Sequence, residues 1–595
     1  MIDQPASSGV NPVTRVRSWY TLLILIFGIF AIRLFYLQVI RYDYYKKAAL
    51  SDQLKQYTVS ADRGIITAQF GDSTVPIVLN QKLYTLYVDP TIVKQPDETA
   101  AKIQSVIGGS TADITAAIKT TQTHYVILKK KLTPAQSDKI LGYKLPGVGT
   151  QEQYYRTYPQ GTLAAQLLGF VNDDGQGEYG IEQALNPELK GTDGQLKAVT
   201  DINGVPLAAS ANNLSKAPVS GDNVQLTVDV GMQAGVEKIL EAAHSQFKSE
   251  DVSAVVMDVH TGAIKAMANY PSYNPADYAD VSDGSLFEND SVSYPIEPGS
   301  ITKLFTTATS LQKGAITPTS SFYDPGSWTI DGGTVHDVAS DHSQGQQTIL
   351  SVLDKSLNTG ATWMLMQLGG GQIDSTARNT LYDYFTNHFM LGQPTGIQQG
   401  NGEEASGYVP KPADNGAAIN LTYANVSYGQ AYTATALQMV SGLSSIVNGG
   451  TYYQPSLISQ ITSGTGKTTQ LKPKVVKQNV ISRQVSDQMI SLLEQNNTNH
   501  IKEGYPYLDF GSHYSVGGKT GTAQIALPTG GYDPNNVNAT YMGFVGGDQP
   551  QYAIVVYTIK PTVGVGNGGA AVSQPVFADI AHMLVNNFGV TPKSQ

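Results

Sequence analysis

The sequence predicts an α+β protein: an N-terminal transmembrane helix, an extended first region, and a larger domain in which an antiparallel sheet is flanked by helices. Three observations carry that prediction. A single apolar run, Trp19 to Ile40, is long enough to cross the roughly 30 Å hydrocarbon core of a bilayer. From Asn223 onward, strand-like and helix-like segments follow one another in an order whose natural packing is one sheet covered by helices. The chain has 595 residues, 41% hydrophobic and only 14% charged, which suits several domains, a large core and a quiet surface.

Composition also excludes. A formal net charge of −10 removes the basic footprint that nucleic-acid binding needs. The absence of cysteine rules out disulfides, thiol catalysis and cysteine-ligated zinc.

Residues 1–17 are polar and form a tail, and residues 18–40 form the membrane helix. Trp19, Tyr20, Phe35 and Tyr36 suit the two interfacial belts, and Arg33 lies where it can snorkel to the headgroups. No small-residue cleavage site follows the run, so the helix reads as retained. Arg15 and Arg17 precede the span and Arg41, Lys46 and Lys47 follow it, so flanking charge does not choose an orientation. Residues 41–218 make the first region, closed by a Ser/Ala/Asn-rich linker from Ala208 to Ser220. Residues 219–595 make the larger domain. There, Asn223–Asp229 reads as a strand, and Met232, Val236, Ile239, Leu240 and Ala243 mark an amphipathic helix. Val252–Asp258 and Ala263–Ala268 flank His260-Thr261-Gly262 as a hairpin. Tyr423 to Asn448 is helical, Ala539–Gly546 and Tyr552–Ile559 are strands, and Phe577–Val590 is a closing helix.

The chemistry concentrates in Glu297-Pro298-Gly299-Ser300-Ile301-Thr302-Lys303. A Pro-Gly turn leads into a helix marked by Ile301, Leu304, Phe305, Ala308 and Leu311, so Ser300 sits near a helix N-terminus, where developing negative charge is favoured. Lys303 shares a face with Ser300 at i+3. A serine hydroxyl needs a base to become a good nucleophile, and a lysine serves as base only in its neutral form, which burial or a second cation favours. The same spacing in Ser245-Gln246-Phe247-Lys248 reads as solvated helix surface. What distinguishes Ser300 is its company: Ser356-Leu357-Asn358 in a mostly helical stretch, then Lys519-Thr520-Gly521-Thr522 in a strand. Taken alone, Ser356 and Asn358 read as helix caps and Lys519 as a strand-edge lysine; together, in order, the three form the S-x-x-K, S-x-N, K-T-G set. Gly466-Lys467-Thr468 lacks the upstream glycine of a phosphate loop. His336, Asp337, Asp341 and His342 are ligand types in a loop-like stretch and are read as loop residues, not a metal site; no cofactor is called for.

On those motifs the chain resembles the class B, monofunctional penicillin-binding proteins, which are peptidoglycan D,D-transpeptidases. The resemblance runs from about Trp19 to about Leu584. It takes in Gln56–Ile66 with its Arg63-Gly64 element, Arg156-Thr157-Tyr158-Pro159, Gly161–Gly169 with Gln166 where a histidine is common, Gly177–Glu182 and Leu189–Gly194. Thr67–Asp72 departs from the family's usual turn. Arg63 and Arg156 are read as scaffold, Arg156 in an ion pair. The resemblance implies a cytoplasmic tail, a pedestal (dimerisation-like) domain over 41–218 and a penicillin-binding transpeptidase domain over 219–595, all beyond the span lying outside the cell membrane. It implies Ser300 as nucleophile toward the stem pentapeptide and toward β-lactams, Lys303 as base, Ser356 as proton shuttle and Asn358 as the group holding the substrate amide. Lys519 would supply positive field, Thr520 and Thr522 would bind the substrate carboxylate, and the backbone N–H groups of Ser300 and Thr522 would form the oxyanion hole. Gly521 would leave room for substrate along the strand. It further implies a partner membrane glycosyltransferase of the SEDS type, since no acidic glycosyltransferase motif precedes Leu226. The short block between Phe170 and Gly180 implies a division rather than an elongation role, with division proteins as further partners. The alternatives are a D,D-carboxypeptidase or β-lactamase-like hydrolase, in which Glu403 or Glu404 would activate water, and a non-catalytic division scaffold. As a transpeptidase, the chain would have both glutamates exposed and turned away from the ester.

Overall fold

A computed structural model describes residues 12–46, 54–120, 123–199, 214–337, 344–400, 402, 404–413, 418–527, 529–564 and 568–594. The chain divides into two compact units, residues 1–61 with 192–219, and residues 62–191 with 220–595.

The first unit contains helix α1 (Pro12–Phe35), continued by a π-turn over Tyr36–Ile40. Within Val13–Ile40 the most apolar 18 residues have a mean hydropathy of 2.4, and none of those residues is buried. The helix thus begins upstream of the apolar run, because Val13 to Arg17 carry no helix breaker beyond Pro12, and proline is well tolerated in a first turn. The unit also holds a small antiparallel sheet of Leu54–Val59, Gly194–Val199 and Leu214–Lys216. Leu214–Lys216 falls inside the stretch read as a linker. Its composition is loop-like, but its backbone pairs with Gly194–Val199. Residues 208–213 lie outside the described residues.

The second unit contains two large sheets. The first takes strands from widely separated parts of the chain. Asn223–Asp229 lies between Ile458–Thr462, antiparallel to it, and Ile66–Phe70, parallel to it. Ile66–Phe70 then pairs with the long strand Ser73–Val88, which also pairs with Val126–Leu132 and Val148–Thr157. The departing Thr67–Asp72 segment is therefore a plain hairpin, with Gly71 at positive φ in its turn. Gly466-Lys467-Thr468 lies at the turn joining Ile458–Thr462 to Thr468–Gln470. Buried beside this sheet, Glu182 is held by both Arg63 (2.6 Å) and Arg156 (2.7 Å), the scaffold role read from sequence. Gln166, also buried, donates to the Pro271 carbonyl.

The second sheet carries the chemistry. In chain order its elements are helix α2 (Val230–Phe247), strands β1 (Asp251–Asp258) and β2 (Ile264–Tyr270), helices α3 (Lys303–Gln312), α4 (Ile349–Asp354), α5 (Asn358–Leu368), α6 (Ala436–Val447) and α7 (Arg483–Lys502), strands β3 (Ser515–Ala526), β4 (Tyr532–Gly546) and β5 (Pro550–Ile559), and helix α8 (Ser573–Asn587). The strand order is β2-β1-β5-β4-β3, with every neighbouring pair antiparallel. Side-chain alternation divides each strand between two cores. Val252, Ala254 and Val256 face α2 and α8 through Val236, Leu240, Phe577 and Ile580. Val255 and Met257 face the opposite way, toward the core that holds α3 and α6 through Leu304, Phe305 and Leu443.

Helix α3 is buried along nearly its whole length, from Lys303 to Leu311. Its threonines pass for a polar face in the sequence, yet their hydroxyls are satisfied internally: Thr306 donates to Ser427 O, Thr307 to Lys303 O and Thr309 to Phe305 O, each at 2.7 Å. Buried hydroxyls cost little when paired in this way.

Candidate active site

Ser300 lies in a short 3-10 turn, Gly299–Thr302, that leads directly into α3. The turn is clamped to the sheet. Gly299, at φ +66°, donates its N–H to Gly429 O, and a Cβ there would come within 2.6 Å of the Thr522 carbonyl oxygen. Thr540 on β4 donates to the Pro298 carbonyl at 2.9 Å. Thr302 and Tyr432 share a hydroxyl contact of 2.7 Å behind the turn. Ser300 itself is half-buried, and Ser245 of the decoy motif is exposed near the end of α2.

Lys303 is fully buried, and its Nζ is the hub of the site. It lies 2.8 Å from Ser300 Oγ, 2.6 Å from the Ser356 carbonyl oxygen, 3.2 Å from Ser356 Oγ and 2.8 Å from Asn358 Oδ1. The carbonyl and the amide oxygen are acceptors only, so they take two N–H groups. The direction toward Ser300 is left for a lone pair when the amine is neutral. Ser356 occupies the bend between α4 and α5 at φ +59°, a left-handed conformation unusual for serine and typical of residues held for function. It is therefore not helical, as the sequence suggested, although both neighbouring segments are. Asn358 opens α5, and one hydrogen of its Nδ2 goes to His336 O at 3.1 Å.

Lys519 is also fully buried; its Nζ donates to Thr520 O at 3.0 Å and to Thr520 Oγ1 at 3.1 Å. Two glycines before it admit close neighbours: a Cβ on Gly517 would meet α7 at Leu493, and one on Gly518 would meet the Tyr541 ring. On α7, Asn496 fixes the strand by donating to Gly518 O, while burial first and the Lys519 charge second push the His500 imidazole below its ordinary value. Gly521 is also required for a reason the sequence does not show: a Cβ there would lie 2.2 Å from Thr540 Oγ1 and 3.0 Å from Pro298 O, so the glycine admits the nucleophile's own turn. Thr522 is exposed, and its Oγ1 accepts from Gly569 N at 3.1 Å, leaving its hydroxyl proton available.

Other sequence candidates behave differently. Glu404 is half-buried, not exposed, and its carboxylate accepts from Thr395 N and Gly396 N, which ties it to its own loop. Glu403, Asp341 and His342 lie outside the described residues. Asp337 caps α5 by accepting from Asn358 N and Thr359 N. A separate trio, Asp354, His500 and Glu503, brings its ligand atoms within 4.8 Å. Gln574 Nε2 meets His500 Nδ1, which puts the ring proton on Nε2, 3.8 Å from Asp354, so a neutral imidazole faces that carboxylate. Glu297, quoted in the motif but given no role there, holds Ala431 N at 2.9 Å and Tyr532 OH at 3.3 Å, and burial raises its carboxyl above the ordinary range. Its position three residues before the nucleophile was the available signal.

A half-buried serine at a helix N-terminus, touching a buried lysine that also meets a second serine, defines an acyl-transferring serine enzyme. The penicillin binding protein transpeptidase domain matches residues 252–582, and the penicillin-binding protein dimerisation domain matches residues 58–226. PbpB of Mycobacterium tuberculosis is 30% identical over 603 residues, covering 98% of this chain and 86% of that protein. The peptidoglycan D,D-transpeptidase FtsI of Escherichia coli is 28% identical over 567 residues, covering 94% of this chain and 89% of that protein. The crystal structure of penicillin binding protein 3 from M. tuberculosis complexed with aztreonam superposes with a TM-score of 0.67 at 25% identity, covering 90% of this chain and 98% of that one. The chain belongs to the penicillin-binding protein transpeptidase family, as a class B member of serine-type D,D-transpeptidase chemistry with a dimerisation domain ahead of the catalytic one.

Proposed function

We propose that Ser300 Oγ attacks the carbonyl carbon of the penultimate D-alanine in a peptidoglycan stem pentapeptide. Neutral Lys303 Nζ takes the hydroxyl proton as the Oγ–C bond forms. The tetrahedral oxyanion is received by the backbone N–H groups of Ser300 and Thr522, where one such donor is worth about 3–4 kcal/mol. The proton then passes through Ser356 Oγ to the departing nitrogen, the C–N bond breaks, and D-alanine leaves an acyl-enzyme. An amino group from a second strand attacks the ester, gives its proton back along the same path and forms the crosslink. Asn358 offers its second amide hydrogen to the substrate, Lys519 supplies positive field, and Thr520 and the free Thr522 hydroxyl proton receive the terminal carboxylate. β-Lactams acylate the same serine. The observation that carries this reading is the contact set of Lys303 Nζ, which touches Ser300, Ser356 and Asn358 at once.

The N-terminal helix anchors the chain once in the cell membrane, with residues 41–218 as pedestal and residues 219–595 as catalytic domain outside it. A SEDS-type glycosyltransferase supplies the glycan strands, and the work is septal, alongside division proteins. The test is a fluorescent penicillin followed by peptide mapping. The label is expected on Ser300 and is expected to vanish in Ser300→Ala. A label that survives that substitution, or maps to Ser245, overturns the assignment.

A further inference from the structure

The first turn of α5 adjoins Ser356 and begins with Asn358, so the geometry around Lys303 depends on how that turn is fixed. The helix does not cap itself, since Leu357 occupies its N-cap position and makes no side-chain bond. The cap comes from upstream in the chain. Asp337 Oδ1 accepts from Asn358 N at 2.5 Å and from Thr359 N at 3.0 Å, and Asp337 Oδ2 accepts from Thr359 Oγ1 at 2.8 Å. Those N–H groups are otherwise the orphan donors of a helix start, and a carboxylate there also meets the positive end of the dipole. The neighbouring His336 carbonyl takes one hydrogen of Asn358 Nδ2, which turns Oδ1 toward Lys303. Asp324 stands on the far side of Thr359, with its Oδ2 at 2.9 Å from Thr359 Oγ1. Burial, and behind it the charge of Asp337, raise the Asp324 carboxyl above its ordinary range.

We propose that Asp337 is a positioning residue of the acyl-transfer site: it caps α5 from outside the helix and so holds Ser356 and Asn358 against Lys303 Nζ. This rests on the reading of Ser300 and Lys303 given above. Asp337 touches none of the reacting atoms, so its effect falls on the rate of acylation and not on the affinity for the acylating agent. A side-chain acceptor at this place is what matters. An asparagine substituted for Asp337 would keep one oxygen for the two backbone N–H groups and could donate its amide to Asp324. Alanine would keep nothing, and glutamate would keep the charge but displace it by a methylene.

The experiment measures acylation of the full-length protein in detergent by a fluorescent penicillin, separating the first-order acylation rate from the affinity of the preceding complex. Asp337→Ala is expected to slow acylation about 10- to 100-fold with affinity unchanged, the scale of a misplaced catalytic group. Asp337→Asn is expected to stay within about threefold of the parent, and Asp337→Glu to fall between the two. If the alanine variant does not fold, the order of the asparagine and glutamate variants decides. Glutamate matching the parent while asparagine fails overturns the capping role in favour of charge alone, and an alanine variant at parental rate overturns any role. Ser300→Ala is run alongside: a label that persists there overturns the site reading itself, whereas its loss together with a parental Asp337→Ala overturns only the role of Asp337.

Discussion

Ser300 and Lys303 are brought together locally: residues three apart on a helix share a face, and no tertiary contact is needed to pair them. Ser356, Asn358 and Lys519 were legible as motifs. What holds them was not, because Asp337 lies 21 residues before Asn358, and Glu297 reaches Tyr532, 235 residues further on. Gly521 was legible as a necessity but not in this steric cause. Its missing side chain is occupied by Thr540 and the Pro298 carbonyl, so Gly521→Ala is expected to push the nucleophile's turn outward. Acylation should drop by about 10-fold or more, with a stability loss of about 1–3 kcal/mol from overpacking. Paired penicillin-labelling rates and denaturant melts check this; an alanine variant with parental labelling would show that the contact relaxes harmlessly. Lys519→Ala is expected to slow acylation more than Lys519→Arg, because in the proposed mechanism the charge faces the substrate carboxylate. Arginine still departs from the parent, since its planar head differs in shape from an ammonium in a fully buried site. Second-order rates for the two variants decide, and an alanine variant as fast as the parent would contradict the role.

Among the elements, strands of the catalytic sheet announced themselves as short apolar runs and by the turn residues between them. The parallel pairing of Asn223–Asp229 with Ile66–Phe70 left no such trace, since register between distant strands is written in neither. One element contact predicts a pH effect. Asp251 begins β1 and is buried against Asp290, with Glu250, Glu288, Tyr294 and Lys560 around them. Burial first, then the charge of Glu288, push Asp290 up to about 6, while burial and Asp290 raise Asp251 well above the carboxylate range. The folded state therefore binds more protons than the unfolded one from the ordinary carboxylate value upward, so this pair makes stability fall as pH rises through that window and leaves it lower at neutrality. Asp290→Asn, which can donate to Asp251 in place of the proton, is expected to raise Tm at pH 7.5 by about 2–4 °C. The gain should shrink toward zero near pH 4. Melts at the two pH values check it, and an equal gain at both would refute the charge argument.

At the scale of the whole molecule, none of the most apolar 18 residues within Val13–Ile40 is buried, so deletion of residues 1–40 is expected to leave a soluble protein that still labels with penicillin. A folded truncation, by circular dichroism, that cannot be labelled would mean the span takes part in activity. The adduct itself should last many minutes by intact mass after excess drug is removed. Glu404, held by the N–H groups of Thr395 and Gly396, is not free to activate a water for deacylation. Loss within seconds would favour the hydrolase, with Glu403 or Glu404 the first residue to change. The first large sheet of the second unit also bears on how the chain is made. Its middle strand, Asn223–Asp229, has one neighbour already synthesised, Ile66–Phe70, and another, Ile458–Thr462, that emerges more than two hundred residues later. While the polypeptide is being threaded out, the early strands wait with an open hydrogen-bonding edge, the kind of surface that recruits other chains. Late closure of this kind makes for slow folding, because the ends of a long loop must meet before the contact stabilises anything. A premature stop between the second motif and Ile458 would therefore spoil more than the missing catalytic strand. It would leave that first large sheet unfinished, and such a fragment should be found in aggregates or in the hands of a protease.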